Sequence, residues 1–534
     1  MGMGRRGWGR GVAVFAVLAL AVAACGTTVP ARVRGQADQQ ASALGESSGP
    51  GGLGASGGLG GPATSAAPAD GTDGVGGSGG TGTGATGGSL QADAGGAGTA
   101  SSLGAEGPPG AGSTVSVAPA APLQLGVLYI GGLQQLAAAF GSSANSPDPS
   151  TYIAALVATI NKEGGIGGHQ VTVVDAEINT ESTTDLSVQY QAACSTFTED
   201  HHVFAVASPA SISDDFASCL AQAHVPLVSA WGIADFGESA NQQDPLIYEP
   251  NAPSAERSAN VVVTNMLAEG WAAKRWGADS ACAAVTKPRI GVLTETGSAY
   301  ESVYNTIIAP RFAAAGTPIT DVVYMNLGGD VASAIAEAAS QSQSAVLKFA
   351  SDCVDHILMR VPNPIIPELF MTAANDQSYT PRYSWDSDDA AVSAQALLGH
   401  PETELNGSLG VGWQPYTDVP LGEFDATAKA PGAPCLAIFA KAGLPASGQS
   451  DGYSDLQICD SILFLQTALS DVTGPLSVAV LQQQVTNLGS RYAPSLTYRA
   501  NFSATQHDGA SAYRTFAFND ACTCFQYTSG LRPF

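Results

Sequence analysis

The sequence is poor in charged residues, and in basic residues above all. Of 534 residues, 21 are Lys or Arg and 46 are Asp or Glu, which gives a formal net charge of −25 at pH 7. Nucleic-acid binding relies on clustered Lys and Arg, so this balance argues against a nucleic-acid partner. An acidic surface also gives little attraction to anionic lipid.

Histidine is scarce as well. The seven histidines lie in no recognisable nucleophile or metal motif, and Cys522-Thr523-Cys524 lacks the two-to-four residue spacer typical of zinc sites. We therefore expect a protein that is not an enzyme and that has no metal and no cofactor. A catalytic triad assembled from distant residues is the alternative that sequence leaves open.

The first apolar run is too short to span a bilayer, which takes about 20 residues. It occupies residues 11–24 and follows Arg5, Arg6 and Arg10, a layout typical of a secretory signal peptide over residues 1–24. Val22-Ala23-Ala24-Cys25 resembles the cleavage box of bacterial lipoproteins. That resemblance implies lipidation of Cys25 and anchoring to the outer face of the cell membrane. An ordinary signal peptide with a chance cysteine is the alternative.

Residues 25–120 are mostly Gly, Ala, Ser, Thr and Pro. Such a segment has too little apolar surface to offset the entropy of ordering it, and it is predicted to be a disordered tether. The signal peptide and the tether together contain five basic and six acidic residues, so residues 121–534 contain 16 basic and 40 acidic residues. The predicted folded part is therefore strongly acidic.

From residue 121 onward, predicted strands and helices alternate. "LQLGVLYI" (123–130) is a nearly continuous apolar run, typical of a strand buried on both faces of a parallel sheet. An apolar helical stripe follows at Ile153, Leu156, Val157 and Ile160. Further strands are predicted at 171–174, 203–208, 225–231, 289–295, 321–327, 345–350 and 368–373, with helices around 216–220, 303–312 and 331–339. This alternation predicts an α/β fold with parallel sheets, and the restart near Arg289 predicts two lobes.

The stretch "INKEGGIGGHQVTVVDAEINT" (160–180) resembles the segment after the first helix of type I periplasmic solute-binding proteins, the branched-chain amino acid-binding group. The turns "VASPAS", "PLVSAWG" and "TETGSAYES" also occur in the order of that family. The resemblance implies two Rossmann-like lobes joined by a hinge with three crossings, and a ligand in the cleft between them. It places lobe one at 121–281 and 379–489, and lobe two at 282–378 and 490–534.

Apart from Cys25, eight cysteines remain, an even number in an exported chain, which predicts four disulfides. The lobe assignment implied by the resemblance gives four cysteines to each lobe. It favours the pairs Cys194–Cys219, Cys435–Cys459, Cys282–Cys353 and Cys522–Cys524.

Ligands of open parallel sheets lie beyond the carboxyl ends of the strands. The candidate ligand-binding residues at these ends are Ser208, Ser211, Ser229, Ala230, Trp231, Tyr300, Asp352, Asn375 and Asp376, with Phe140 in the loop after the first strand. Serine hydroxyls suit a carboxylate, and Asp376 or Asp352 suits an ammonium group. Ser211 is equally well explained as a helix N-cap. Trp231 is favoured as a wall of the cleft, with cover for a sheet edge as the alternative. Asp352 is better explained as a solvated loop charge than as a ligand contact.

The resemblance implies delivery of a small molecule to an ABC-type permease by a monomer anchored outside the cell. Trp231 and Asn375-Asp376 depart from the amino acid binders, so an aromatic, amide-like or hydrophobic metabolite fits as well as an amino acid. A ligand sensor that contacts a membrane receptor and a non-transport protein of the cell envelope are the two alternatives.

Overall fold

The computed structural model describes residues 116–118, 121–135, 148–232, 236–238, 243–277, 281–362, 365–398, 402–423, 431–445 and 454–534. The predicted signal peptide, Cys25, most of the predicted tether and Phe140 lie outside the described residues. The end of the predicted tether differs from expectation, because Ser116–Val117 forms a short strand paired with Leu476–Ser477.

Fifteen strands occur in the described residues. They are β1 Ser116–Val117, β2 Leu123–Gly131, β3 Val171–Asn179, β4 Ala205–Ser208, β5 Leu227–Ser229, β6 Ile247–Tyr248, β7 Ile290–Glu295, β8 Ile319–Met325, β9 His356–Arg360, β10 Arg382–Asp386, β11 Leu409–Gly412, β12 Leu476–Ser477, β13 Ala512–Asn519, β14 Cys524–Tyr527 and β15 Arg532–Pro533.

Thirteen α-helices accompany them in the same part of the chain. They are α1 Pro149–Lys162, α2 Leu186–Ser195, α3 Asp214–Gln222, α4 Ala255–Ala268, α5 Ser298–Val303, α6 Ala309–Ala314, α7 Val331–Ser351, α8 Ile365–Asp376, α9 Ala391–Leu397, α10 Pro415–Asp418, α11 Ala433–Lys441, α12 Ser454–Ala468 and α13 Val478–Thr486.

Five parallel strands form sheet A, in the order β3-β2-β4-β5-β6. The apolar run of β2 is buried along most of its length because neighbouring strands flank it and helices cover both faces. Helix α1 begins where the Asp148 carboxylate accepts a hydrogen bond from Ser150 N at 2.9 Å, and its predicted apolar stripe is buried. The predicted strand-helix-strand unit is confirmed here.

Sheet B is mixed, with the order β14-β13-β11-β10-β9-β7-β8 and β15 paired to β13. Strands β7 to β11 run parallel, whereas β13 pairs antiparallel with β11 and β14. The α/β class is confirmed, and the C-terminal hairpin adds antiparallel strands to a sheet that was predicted to be parallel.

Two predicted strands are wrong. Residues 345–350 belong to helix α7 and residues 368–373 belong to helix α8. The strands that follow these helices are β9 and β10. Short apolar runs do not distinguish a buried strand from a buried helix segment, and here the helices were mistaken for the strands after them.

The described chain passes between the two sheet layers at positions that differ from the predicted ones. Tyr248 packs in the core of sheet A and Ala255 in that of sheet B, well before the predicted crossing between residues 281 and 282. Strands β10 and β11 lie in sheet B although residues 379–489 were assigned to lobe one. Phe502 still packs in the core of sheet A, beyond the predicted crossing at 489.

The eight cysteines of the described residues form four pairs. These are Cys194–Cys219, Cys282–Cys353, Cys435–Cys459 and Cys522–Cys524, with Cα separations of 6.4, 5.6, 6.0 and 5.2 Å. The pairing is the one that the lobe assignment favoured.

Candidate functional site

Four of the predicted residues meet at the carboxyl edge of sheet A. Ser208 ends β4 and is paired in register with Ser229 at the end of β5. Ala230 N donates to Ser208 O at 2.8 Å, and this bond holds the turn that leads to Trp231. Ser208, Ser229 and Ala230 are buried, whereas Trp231 is half-buried. The edge therefore presents two serines and an indole side by side.

Ser211 lies near this edge but does not cap a helix. The N-cap of α3 is Ser213, whose hydroxyl accepts from Phe216 N at 3.2 Å. The carbonyl of Ser211 accepts a hydrogen bond from the Tyr190 hydroxyl at 2.8 Å. The N-cap explanation of Ser211 is therefore wrong by two residues.

The indole of Trp231 offers an unused donor. Its Nε1 is buried and has no hydrogen-bond partner among the described residues. The backbone is fixed around it, because Trp231 O accepts from Gln457 Nε2 at 2.9 Å. Gly232 follows with φ 87°, and a Cβ there would lie 2.6 Å from Leu496 Cδ2, so glycine is required. A buried N–H without an acceptor is costly, and an acceptor on a ligand would satisfy it.

At the carboxyl edge of sheet B, Glu295 ends β7 and Tyr300 lies in α5, which follows it. Tyr300 is buried at 8% exposure. The Glu295 Oε1 atom is buried and has no hydrogen-bond partner within the described residues. Burial raises the pKa of Glu295 to about 7. Glu295 was not among the predicted residues.

Three predicted residues lie at the opposite, amino edge of sheet B. Asp352 caps the end of α7, before β9 begins, and its carbonyl accepts from Arg289 Nη1 at 2.6 Å. Asn375 and Asp376 are the exposed last residues of α8, before β10 begins. Their predicted position at strand carboxyl ends is wrong, because residues taken for strands are helices.

The carboxyl ends of β9 and β10 instead carry a buried network of charged residues. Arg360 ends β9 and forms an ion pair with Asp386, which ends β10. Arg360 Nη2 also donates to Ser258 Oγ at 2.9 Å, and Asp388 Oδ2 lies 3.8 Å from its Nη1. Asp389 accepts from Asp386 N at 2.8 Å, and burial holds the pKa of Asp389 well above its usual range. The run "DSDD" (386–389), which begins at the last residue of β10, is the sequence signal that could have located this network.

Ser387 and Asp418 extend the network. Ser387 Oγ donates to Asp418 Oδ1 at 2.7 Å and accepts from Trp413 N at 2.8 Å. Tyr527 donates its hydroxyl to Asp418 at 3.2 Å. Burial raises the pKa of Asp418 to about 8, against the lowering effect of these hydrogen bonds.

Direct contacts join the carboxyl edges of the two sheets. Leu186 N, in the loop and helix after β3, donates to Gly329 O, which follows β8, at 3.0 Å. Gln414, after β11, donates through Nε2 to Gly232 O, which follows β5. The two carboxyl edges therefore lie against each other on both sides of the residues described above.

Within the described part of the chain, no group of three or more His, Cys, Asp or Glu residues is placed to hold a metal ion. Among the same residues, no helix combines the length and the apolar character that crossing a bilayer requires.

This arrangement of two sheets is the fold of type I solute-binding proteins of ABC transporters, the fold that the sequence resemblance implied. One similar structure is an ABC transporter solute-binding protein from Rhodopseudomonas palustris in complex with 4-hydroxybenzoate, with 12% identity, 77% of this chain and 97% of that chain covered, and a TM-score of 0.54. Another, from strain BisB5 of that species, is in complex with 3,4-dihydroxybenzoic acid, with 11% identity, coverage of 77% and 97%, and a TM-score of 0.52.

A third is a branched-chain amino acid ABC transporter protein from Thermus thermophilus with bound valine, with 12% identity, coverage of 78% and 97%, and a TM-score of 0.50. No family model and no curated protein matches the sequence. Identities this low establish the fold alone.

Proposed function

We propose that this chain is a solute-binding protein that delivers a small organic molecule to an ABC-type permease and catalyses no reaction. The observation that carries the proposal is the apposition of the two carboxyl edges through Leu186 N and Gly329 O at 3.0 Å. Parallel sheets bind ligands beyond these edges, so a molecule held there would contact both sheets. Contacts made only in the closed form would favour closure.

The ligand class follows from two polar atoms that have no hydrogen-bond partner among the residues that the structure describes. Trp231 Nε1 is a buried donor on the edge of sheet A, and Glu295 Oε1 is a buried carboxyl oxygen on the edge of sheet B. We infer a small organic acid that bears an aromatic or branched apolar group. Its carboxylate would accept a hydrogen bond from the indole N–H, at the edge where Ser208 and Ser229 end their strands. A hydroxyl or ammonium group at its other end would donate to Glu295.

The ligand test uses the full chain with Cys25→Ser, which prevents lipidation. Thermal melts are recorded with 4-hydroxybenzoate, 3,4-dihydroxybenzoate, valine and leucine. A ligand at about 100 times its Kd adds about 2.7 kcal/mol of stability to a protein that binds it only when folded. A panel in which no compound raises the melting temperature would contradict the proposed ligand class.

Trp231→Phe tests the proposed hydrogen bond. The variant keeps an aromatic ring and loses the N–H donor. Titration calorimetry with the compound that raises the melting temperature most should therefore show a Kd about tenfold higher, the effect of one hydrogen bond. Trp276→Phe is the matched control, because Trp276 lies beside Asp355 at the amino edge of sheet B. Equal affinities of Trp231→Phe and the unaltered protein would remove Trp231 from the site.

We also propose that the protein acts outside the cytoplasm, held at the membrane by lipid on Cys25, and that its four cysteine pairs are oxidised there. A lipid anchor takes more than one acyl chain to be stable, as lipoprotein processing supplies. Cells that express Cys25→Ala should release the protein into the soluble fraction, whereas the unaltered chain should partition into detergent. Equal partitioning of both would argue for an ordinary signal peptide.

A further inference from the structure

The turn of the β13–β14 hairpin contains a disulfide between cysteines only two positions apart. Asn519 and Cys524 are the last paired residues of the hairpin, and Cys522 lies in the turn beyond them. A single residue, Thr523, therefore separates the two bonded cysteines. The resulting ring is the smallest of the four disulfide loops, whose other members span 24, 25 and 71 positions.

This pair also differs from the others in exposure. Cys522 is exposed and Cys524 is half-buried. Each of the other three pairs has at least one buried member: Cys194, Cys282, and both Cys435 and Cys459. Thiol–disulfide exchange needs a thiolate to reach one of the sulfurs, so exposure governs which pair reacts first.

The ring holds Thr523 in an unfavourable backbone conformation. Its φ is 51°, in the left-handed region, where a β-branched residue is an outlier. The Thr523 carbonyl accepts from Gln395 Nε2 at 2.9 Å, which ties the turn to helix α9. Cys353 has a similar φ of 54°, but it follows the end of α7, where left-handed residues are common, and its partner Cys282 is buried. Opening the Cys522–Cys524 bond would let Thr523 relax.

We propose that Cys522–Cys524 is a thiol–disulfide exchange site that reacts with dithiols while the other three pairs stay closed. The thiolate of the dithiol attacks Cys522 Sγ, forming a mixed disulfide and breaking the Cys522–Cys524 bond, and the electron pair leaves on Cys524, which takes up a proton. The second thiol of the dithiol then attacks the mixed disulfide and releases Cys522 as a thiol. The dithiol is oxidised by two electrons and the cysteine pair is reduced by two. The Cys522 sulfur lies 3.5 Å from Asn519 O, an acceptor for the new S–H.

The test is a titration of the air-oxidised full chain with dithiothreitol, followed by alkylation and mass spectrometry of each cysteine. We expect Cys522 and Cys524 to be half-labelled at a dithiothreitol concentration about tenfold or more below that of any other pair, since exposed and strained disulfides are the more easily reduced. Protein that is alkylated only at Cys522 and Cys524 should still show the thermal unfolding transition of the oxidised protein. Simultaneous opening of all pairs, earlier opening of another pair, or free thiols at both positions before treatment would each overturn the proposal.

Two variants separate backbone strain from exposure. Asn adopts the left-handed region several-fold more readily than Thr, so Thr523→Asn should require a several-fold higher dithiothreitol concentration for half-reduction. Thr505→Asn makes the same change in an exposed turn remote in sequence from the ring and should leave the titration unchanged. An unchanged titration for Thr523→Asn would remove strain as a cause. This proposal does not depend on the solute-binding function.

Discussion

At the scale of single residues, burial decides the protonation of two carboxyl groups that lie against sheet B. Asp418 is buried and its pKa is raised to about 8. Glu404, which accepts a hydrogen bond from the Tyr383 hydroxyl, has its pKa raised by burial to about 8 as well. Removing a carboxylate from water disfavours its charged form, so these groups are neutral at pH values where exposed carboxyls are ionised.

Asp418→Asn should therefore change how stability depends on pH. The folded pKa lies above the unfolded one, so the stabilisation is complete below about pH 4 and is lost as the pH rises towards 8. Over this window the unaltered protein should lose about 1.4 kcal/mol per pH unit for this one proton, and the variant should lack that contribution. Urea unfolding at pH 5, 6.5 and 8 measures both slopes.

Asp520→Asn is the control for this prediction, since Asp520 is exposed. Its pH slope should equal that of the unaltered protein. If Asp418→Asn also retained the full slope, Asp418 would not be the group that takes up the proton.

At the scale of elements, the apolar pattern predicts sheet A well and sheet B poorly. Strand β2 and helix α1 follow the predicted run and stripe. Helix α8, which packs against sheet B, is deeply buried, and its segment "ELFMTA" is apolar except for Glu368 and Thr372, which are buried as well. The segment therefore resembles a buried strand. Strand β10 begins with Arg382 and ends with Asp386, so its sequence does not read as an apolar run and the strand was not predicted. The groups that bind these two charged side chains come from other segments of the chain, so only the tertiary structure shows why a strand tolerates them.

The N-cap of α3 gives a prediction at this scale. Ser213→Ala removes the hydroxyl that accepts from Phe216 N and should cost about 1 kcal/mol of unfolding free energy. Ser211→Ala keeps the carbonyl that accepts from Tyr190 and should cost about 0.5 kcal/mol or less. Denaturant unfolding of the two variants checks this. A larger loss of unfolding free energy for Ser211→Ala than for Ser213→Ala would indicate that Ser211, not Ser213, is the N-cap.

At the scale of the whole molecule, the chain segments that pass between the two sheet layers are bonded to each other. Gly509 N donates to Glu249 O at 2.7 Å. Asp508 accepts from Ser254 N at 2.6 Å and forms an ion pair with Arg257 at the start of α4. One aspartate thus links two of the passages, and any movement of sheet A against sheet B acts on these bonds.

Asp508→Asn should therefore destabilise the fold. Asn still accepts from Ser254 N but loses the charge that pairs with Arg257, and charge-assisted hydrogen bonds contribute about 1.5–3 kcal/mol. Asp471→Asn is a matched control, because the Asp471–Arg491 pair, at 2.7 Å, is exposed and such pairs contribute about 0–1 kcal/mol. Melting temperatures of the two variants give the comparison. An equal effect of both would mean that the Asp508 pair has no special role between the layers.

The candidate site was only partly predictable from the sequence, because some of its residues depend on partners from distant segments. Two buried strands end at Ser208 and Ser229, and Ala230 and Trp231 follow the second one, so locating those strands located the residues. Glu295 and Arg360 also end strands, but their roles depend on which side chains the neighbouring strands place beside them. Their partners come from segments distant in sequence, such as Ser258 and Asp386.

The sequence by itself determined the acidic composition, the alternation of strands and helices and the carboxyl edge of sheet A, because these follow from local pattern and order along the chain. The cysteine pairing came instead from the lobe assignment that the family resemblance implied. Only the tertiary structure decided which apolar segments of sheet B are strands, where the chain passes between the sheets and which charges are buried together. Those features depend on contacts between residues far apart in sequence. Such contacts override local preference wherever a segment is buried on all sides.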